Sequence, residues 1–528
     1  MNSYLYFERG SSYLEMGKVD LALADFSKAI ELDPNLEGAY VSRGSAYINS
    51  GLYDQGIADC NKAIELNPYL VIAYLNRSIG YLKTDRFDEA IADCDKAVEL
   101  DPKLVNAYVN RAEAYLGTGR FDKAITECNK AIELDPNMVI AYDIRIAGYL
   151  DTGRYNEAIA DCNKEIELDP NIIAAYVNRA MAYTNTDRFG EAIIDCNKAI
   201  KLDPNLAGPY VNRASAYLGA GLYDQGIADS NKAIELDPNK AMAYVNRAVG
   251  YLNTGRYNQG VVECNKAIEL DPNEVRAYVN RAMGYLNTGQ FEEAIVDCDK
   301  AIELNPNQAR TYVNRAMGYI NTDRYEQGIV DCNKAIELDP KLVESYINRA
   351  SAYLRTGRYD EVIIDCNKAI ELDPNQTNAY INRAWAYLHI DQVEEVIVDC
   401  SKVIELDPDQ VNAYINRSSA YLRTGRFEEA INDCNKAIKL DPNLPGAHDN
   451  RAWVYLKTGR FDKAIVDCNK AIELDSNQAN AYYCRAMAST FVFSDSQAQI
   501  DIELAVTLGI DRALIESVIE QIKQNRRS

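Results

Sequence analysis

A proline recurs every 34 residues from Pro34 to Pro442, thirteen times without an insertion or deletion. Only Pro209 and Pro445 fall outside the series. A chain that keeps one phase for so long is built from copies of one small unit, and such units survive only by stacking on each other. Counted from Ser3, fifteen repeats begin at residues 3, 37, 71 and so on to 479, and together they span 3–512. The last is worn: Ser489 stands where an aromatic is usual and Ile510 where the proline would be.

Inside a repeat such as 343–376 the apolar spacing is helical. Tyr346, Ala350 and Tyr353 lie at i, i+4 and i+7 on one face of a first helix, and Val362, Cys366 and Ala369 repeat the spacing on a second. Thr356-Gly357-Arg358 separates them, with glycine supplying the positive φ of a helix stop. The second helix ends near Leu-Asp-Pro-Asn, because proline has no N–H to give and pushes its predecessor toward extended geometry. Each helix is expected to hold about 14 residues. Neither can bury its face alone, so neighbours must supply the core. Residues 513–524, ALIESVIEQIKQ, place Leu514, Ile515, Val518, Ile519 and Ile522 at helical spacing. The expectation for 513–528 is a capping helix over the last core face, followed by the polar tail Asn525-Arg526-Arg527-Ser528.

This 34-residue helix–turn–helix unit resembles the tetratricopeptide repeat (TPR). In repeat 343–376 the family's positions are met by Tyr346, Ala350, Tyr353, Ala369 and Pro374, and its small residue at the start of the second helix is Ala90, Ala124 or Gly56 elsewhere and Val362 here. The aromatic at position 4 is present in fourteen of fifteen repeats, His448 being the exception, and the aromatic at position 11 also in fourteen. The resemblance covers 3–512 and implies an all-α fold: a right-handed α-solenoid, or superhelix, of antiparallel helix pairs. Its first helices would line a concave groove and its second helices would face outward. Two departures are systematic. Where the family usually has Leu at position 7, this chain has Arg in every repeat, from Arg9 to Arg485, and where it often has Phe or Tyr at position 24, this chain keeps only Phe26 and mostly has Cys; position 23 is Asp or Glu in all fifteen, from Asp25 to Asp501. Arg at 7 and acid at 23 flank the two core stripes, so they are expected to pair between helices, where the guanidinium fork suits a partly desolvated carboxylate.

The chain's 528 residues carry 56 Lys+Arg against 79 Asp+Glu, a formal net charge of −23. That balance argues against a nucleic-acid or anionic-membrane partner, since both need a basic footprint. No apolar run approaches the ~20 residues of a membrane span, and Met1 to Gly10 lacks the apolar core of a signal peptide. Twelve of thirteen cysteines occupy position 24; Ser230 takes one such place, and Cys484 lies apart. No C-x-x-C pair is present, so zinc spacing is missing and no metal or other cofactor is expected. Stacked equivalents should lie roughly 10 Å apart, beyond disulfide reach, which leaves small buried hydrophobes packed against tyrosines. So many free thiols suit a reducing, cytoplasmic compartment. The two histidines, His389 and His448, take repeat positions, and no G-x-S-x-G, H-E-x-x-H or phosphate loop occurs, so no catalytic residue is assigned and an enzyme is not expected.

The informative position is 6, on the expected groove side. It is asparagine at Asn76, Asn110, Asn178, Asn212, Asn246, Asn280, Asn314, Asn348, Asn382, Asn416 and Asn450, and it breaks at Glu8, Ser42, Ile144 and Cys484. Asparagine is a poor helix former, so its recurrence mid-helix asks for a reason. One amide offers a donor and an acceptor, which match the N–H and C=O of a peptide backbone. Such a row resembles the asparagine ladder in the repeat domain of O-linked N-acetylglucosamine transferase and that of armadillo-type carriers. The competing explanations are a local bond to the preceding turn and plain copying of a neutral residue by duplication. Position 5 is mostly Val or Ile and position 9 includes Met283, Met317, Trp385 and Trp453; these are either apolar pockets for ligand side chains or packing between first helices. Groove-side charges are Arg276, Arg310, Arg355, Arg423 and Lys457, with the acids Glu113, Asp143, Asp151, Glu344 and Asp449. The chaperone-tail clamp of some TPR co-chaperones needs Lys at position 5 and Asn at 9, and neither is found. The expected function is a non-enzymatic protein-interaction scaffold that holds a protein or peptide ligand in its groove. The alternatives are an assembly protein that works through its convex face or stacked ends, and a co-chaperone-like or targeting subunit of an enzyme complex. Oligomeric state is left open.

Overall fold

The structure, a computed structural model, describes residues 2–526. Among the described residues it holds 31 α-helices and no strand, from α1 (Ser3–Glu15) to α31 (Arg512–Asn525). Odd-numbered helices up to α29 (Ala479–Phe491) are the first helices of the repeats and even-numbered ones, up to α30 (Asp495–Thr507), the second. First helices have 12 or 13 residues, slightly fewer than the sequence suggested, whereas second helices have 14 except α30 with 13. The chain divides into two compact units, one ending at Pro272 and one beginning at Asn273. Within each, every helix packs on the next, and each first helix also touches the next first helix. Each unit is thus an α-solenoid stack.

The turn chemistry explains the period. Between first and second helices a residue adopts positive φ: Gly357 at 74° is typical, and where glycine is replaced Asp85, Asp187, Asp323 and Asp391 take φ of 55–60°, a region Asp tolerates better than most residues. At the end of the second helix, Asp33 is extended before Pro34 (φ −141°, ψ 94°), and its carboxylate accepts the Asn35 N–H at 3.0 Å, an Asx turn. The proline carbonyl then accepts from the next repeat: the Tyr108 hydroxyl donates to Pro102 O at 3.1 Å and the Tyr346 hydroxyl to Pro340 O at 3.1 Å. The recurring proline and tyrosine are one latch between consecutive repeats.

The core is assembled repeat by repeat. Tyr346, Ala350, Tyr353, Cys366, Ala369 and Ala379 form one cluster that spans two repeats, and Tyr108, Val109, Cys128, Ala131 and Ala141 form another. All thirteen cysteines are buried, and none forms a disulfide among the described residues. Burial pushes the Cys60, Cys94 and Cys332 thiols up to about 12, so they stay protonated, unreactive packing groups at neutral pH. Cys484, outside the position-24 series, shares a side-chain hydrogen bond with Cys468.

All fifteen arginines at position 7 pair with the acid at position 23 of their own repeat. In the Asp331 rung, Arg315 Nε and Nη2 each donate to one carboxylate oxygen at 2.7 Å. The third nitrogen reaches the preceding repeat: Arg77 Nη1 donates to Asn61 at 2.6 Å, Arg145 to Asn129 at 2.6 Å and Arg451 to Asn435 at 2.6 Å. One side chain therefore ties two helices of its own repeat and the repeat before it. Helix α31 covers the C-terminal core with Ile515, Ile519 and Ile522, but Leu514, read as part of that face, is 53% exposed. Arg526 is no free polar tail; it donates to Thr490 O and to Asp495. Arg527 and Ser528, the end of the expected tail, lie outside the described residues.

Candidate interaction face

First helices present position 6 beside the seam with the preceding first helix. Asn246 is buried and the other ten position-6 asparagines are half-buried. Five of the eleven spend their Nδ2 across the seam. Asn212 donates to Val177 O at 3.1 Å and Asn246 to Val211 O at 2.9 Å and to Ser215 at 2.9 Å. Asn450 donates to Ile415 O and Ser418, both at 3.0 Å, while Asn110 reaches Ser78 and Asn382 reaches Ser351, again at 3.0 Å. The bond is to the neighbouring repeat, not to the preceding turn of the same helix. Asn76, Asn178, Asn280, Asn314, Asn348 and Asn416 make no such bond.

Position 5 belongs to the packing, not to ligand pockets. Val109, Val211, Val245 and Val313 are buried, and Val211 sits with Tyr210, Ala233 and Ala243. A hydrophobic side chain between two first helices is simply worth more there than in water. At position 9, Trp385 is 42% exposed and stacks on His389 at 5.5 Å, which in turn stacks on Tyr359 at 4.8 Å. Trp453 meets Tyr483 edge-on at 5.6 Å.

The expected groove charges divide. Arg276 is held by Glu274 at 3.2 Å and Arg423 by Asp391 at 3.1 Å, Glu113 faces Lys83 at 3.4 Å, and Arg310, Lys457, Asp151 and Glu344 are exposed. Asp449 is a correction: it is buried, and burial lifts its carboxyl to about 6. Its neighbour His448, which replaces the latch tyrosine, is buried with Nδ1 3.4 Å from Asp467. Arg355 lines a notch of about 360 Å³ with Ile320, Asn321, Asp323, Tyr325, Ser351 and Leu354, and its Nε donates to the Tyr325 hydroxyl at 3.1 Å. Tyr325 starts a second helix, so position-by-position reading of first helices missed it. The sequence reading also missed the position-25 asparagines that receive the third arginine nitrogen.

Tetratricopeptide-repeat family models match along the chain. The Tetratricopeptide repeat model matches 3–36, 105–138, 173–206, 275–308, 343–376 and 450–478. Further TPR models match 37–69, 71–104, 149–172, 207–240, 241–274, 309–342, 366–397 and 418–459. The chain belongs to the tetratricopeptide-repeat family. Among solved structures, a chain of the APC/C hetero-tetramer Cut9-Hcn1 is 14% identical with a TM-score of 0.55, covering 91% of this chain and 95% of that one. Yeast Tom70 is 18% identical over 80% of this chain and 96% of its own, with a TM-score of 0.35. A tetratricopeptide repeat protein from Parabacteroides merdae is 18% identical over 47% of this chain and 98% of its own, with a TM-score of 0.40. No curated protein matches the chain. TPR membership makes the chain a protein-interaction scaffold with protein partners.

Proposed function

We propose that this TPR protein is non-enzymatic and binds an extended segment of a protein or peptide along a groove formed by its first helices, with position-6 asparagines reading the ligand backbone. One observation carries the reading. Asn280, Asn314 and Asn348 are consecutive, half-buried, and leave both amide groups without an internal partner. An amide held in a helix and left unspent is suited to an exchange of hydrogen bonds with a peptide N–H and C=O. The net charge of −23 favours a partner other than nucleic acid or an anionic membrane, and the many free thiols favour the cytoplasm. Changing Asn280, Asn314 and Asn348 together to Ala is expected to abolish capture from a random-sequence peptide library while circular dichroism shows unchanged helicity. Unchanged capture by the triple variant would overturn the ladder.

A second reading has its own support. Val296, Val330, Ile364, Val398 and Val466 recur at position 22 of second helices and are each 64–67% exposed. A row of exposed β-branched residues suits an assembly protein that works through its outer face. If changing Val296, Val330 and Ile364 to Asp removes partner capture and the asparagine variant does not, that reading prevails.

A further inference from the structure

Position 27 of the second helix is a buried alanine in almost every repeat, for example Ala131, Ala199 and Ala233. In repeat 139–172 it is Glu165. Its side chain is buried, 1% exposed, and neither carboxyl oxygen has a hydrogen-bond partner. The same repeat carries a second acid where a hydrophobe is usual: Asp143 at position 5. These two places adjoin. One repeat earlier, Val109 and Ala131, at positions 5 and 27, belong to one apolar cluster, and Asp143 is the charged group that acts most strongly on Glu165.

No cation among the described residues answers the pair. Facing Glu165 are Asp143 from α9 (Val139–Asp151) and Asp161 and Cys162 from α10 (Tyr155–Leu168). The nearby cations are committed elsewhere: Arg145 to Asp161 at 2.7 Å, Arg179 of α11 (Ile173–Thr184) to Asp195 at 2.7 Å, and Lys164 to Glu167 at 3.2 Å. The seam above the pair is loose as well. Helix α9 is less closely applied to α11 than to α7 (Val105–Gly117). Asn178 makes no bond to α9, although Asn212 one repeat on reaches the Val177 carbonyl. Asp143 stands exposed at position 5, where Val109 and Val211 are covered.

We propose that Asp143 and Glu165 form a cation slot in the seam between α9 and α11 that takes the primary ammonium of a lysine-type side chain. Asp143 is the rim and Glu165 the floor. The proposal deepens the peptide-groove reading, on which it rests only for the source of the ammonium. A linear alkylammonium is a slim cation, and two carboxylates can accept from its N–H groups. In the free chain, burial first and then Asp143 and Asp161 raise Glu165 to about 8, so at neutral pH the floor is protonated. Binding ionises it and sends one proton to solvent, while the alkylammonium stays charged throughout this range.

The test uses dansylcadaverine, a fluorescent primary ammonium, with the full chain. Saturable binding is expected, with affinity falling about tenfold per pH unit below about 8. Carbodiimide coupling followed by mass mapping should place the dye on Glu165 or Asp143. Glu165→Ala and Asp143→Val restore the residue types that other repeats carry, so both should fold, and each should weaken binding at least ~10-fold. Dye binding that persists in both variants, or wild type without saturable binding, overturns the slot. The Asn280/Asn314/Asn348→Ala variant separates the two readings. It should keep dye binding and lose peptide capture; loss of peptide capture with no dye binding in wild type leaves the groove standing and removes the slot.

Discussion

Two acids one turn apart on α10 live opposite lives. Asp161 sits under the fork of Arg145, whose Nε and Nη2 each donate to it at 2.7 Å. Glu165, deeper still at 1% exposure against 7%, has no donor at all. Both are buried on one helix; the partner is what separates them. Asp161 is therefore a joint that locks two helices, whereas Glu165 is a charge the fold tolerates by keeping it protonated. The comparison shows that burial alone says nothing about whether an acid stabilises; the donors around it decide.

The largest effect should come from breaking a joint. Asp161→Asn, and independently Asp331→Asn, leave a half-buried guanidinium facing a neutral amide, which is expected to cost about 4 kcal/mol. Urea unfolding followed by circular dichroism measures it, and the midpoint should fall along with the sharpness of the transition. Unchanged unfolding in both variants would show that the rungs are bystanders.

Next comes the opposite sign. Glu165→Ala removes a buried acid without donors, so the variant should be more stable than wild type by roughly 3 kcal/mol at neutral pH. Glu165 has a folded value near 8 against 4.5 for an unperturbed glutamate. A raised value means that its contribution is fully present below 4.5 and is lost as pH rises through about 8. The advantage of the variant should therefore shrink to near zero by pH 4.5, as read from melting curves across that range.

The repeat, the helices and the rungs were legible because each is written fifteen times. Position 7 and position 23 announced their pairing by never varying in charge. The second arm of each arginine was not legible. Asn61 and Asn129 look like ordinary polar surface until α-helices of consecutive repeats are laid side by side. The proline–tyrosine latch was hidden for the same reason: each partner has a sufficient local role, as helix stop or core aromatic. Position 5 stayed open between pocket and packing because a first-helix side chain between groove and seam has the same helical phase either way. Glu165 escaped notice because single departures carry no periodic signal, and only depth without a donor makes one of them stand out.

A milder form of the same contrast lies within the rungs. Glu127 and Glu263 replace aspartate at position 23, and their extra methylene spoils the fit: Arg111 and Arg247 reach these glutamates through Nη2 alone, and Nε is left buried without a partner. Glu127→Asp and Glu263→Asp should restore the two-pronged bond and stabilise by about 1 kcal/mol each, seen as a higher urea midpoint with unchanged slope.

The smallest effect calibrates the rest. Twelve of the fifteen second helices carry a lysine and a glutamate three residues apart, such as Lys334 and Glu337 at 2.9 Å, with side chains 39% and 70% exposed. Water and salt already satisfy both groups, and holding two long side chains in one pose costs entropy. Lys334→Ala should thus leave the urea midpoint where it was, at low salt and at high. A shift comparable to that of Asp331→Asn would mean that the helix surface, and not the buried fork, holds these repeats together, and the distinction drawn between Asp161 and Glu165 would lose its physical basis.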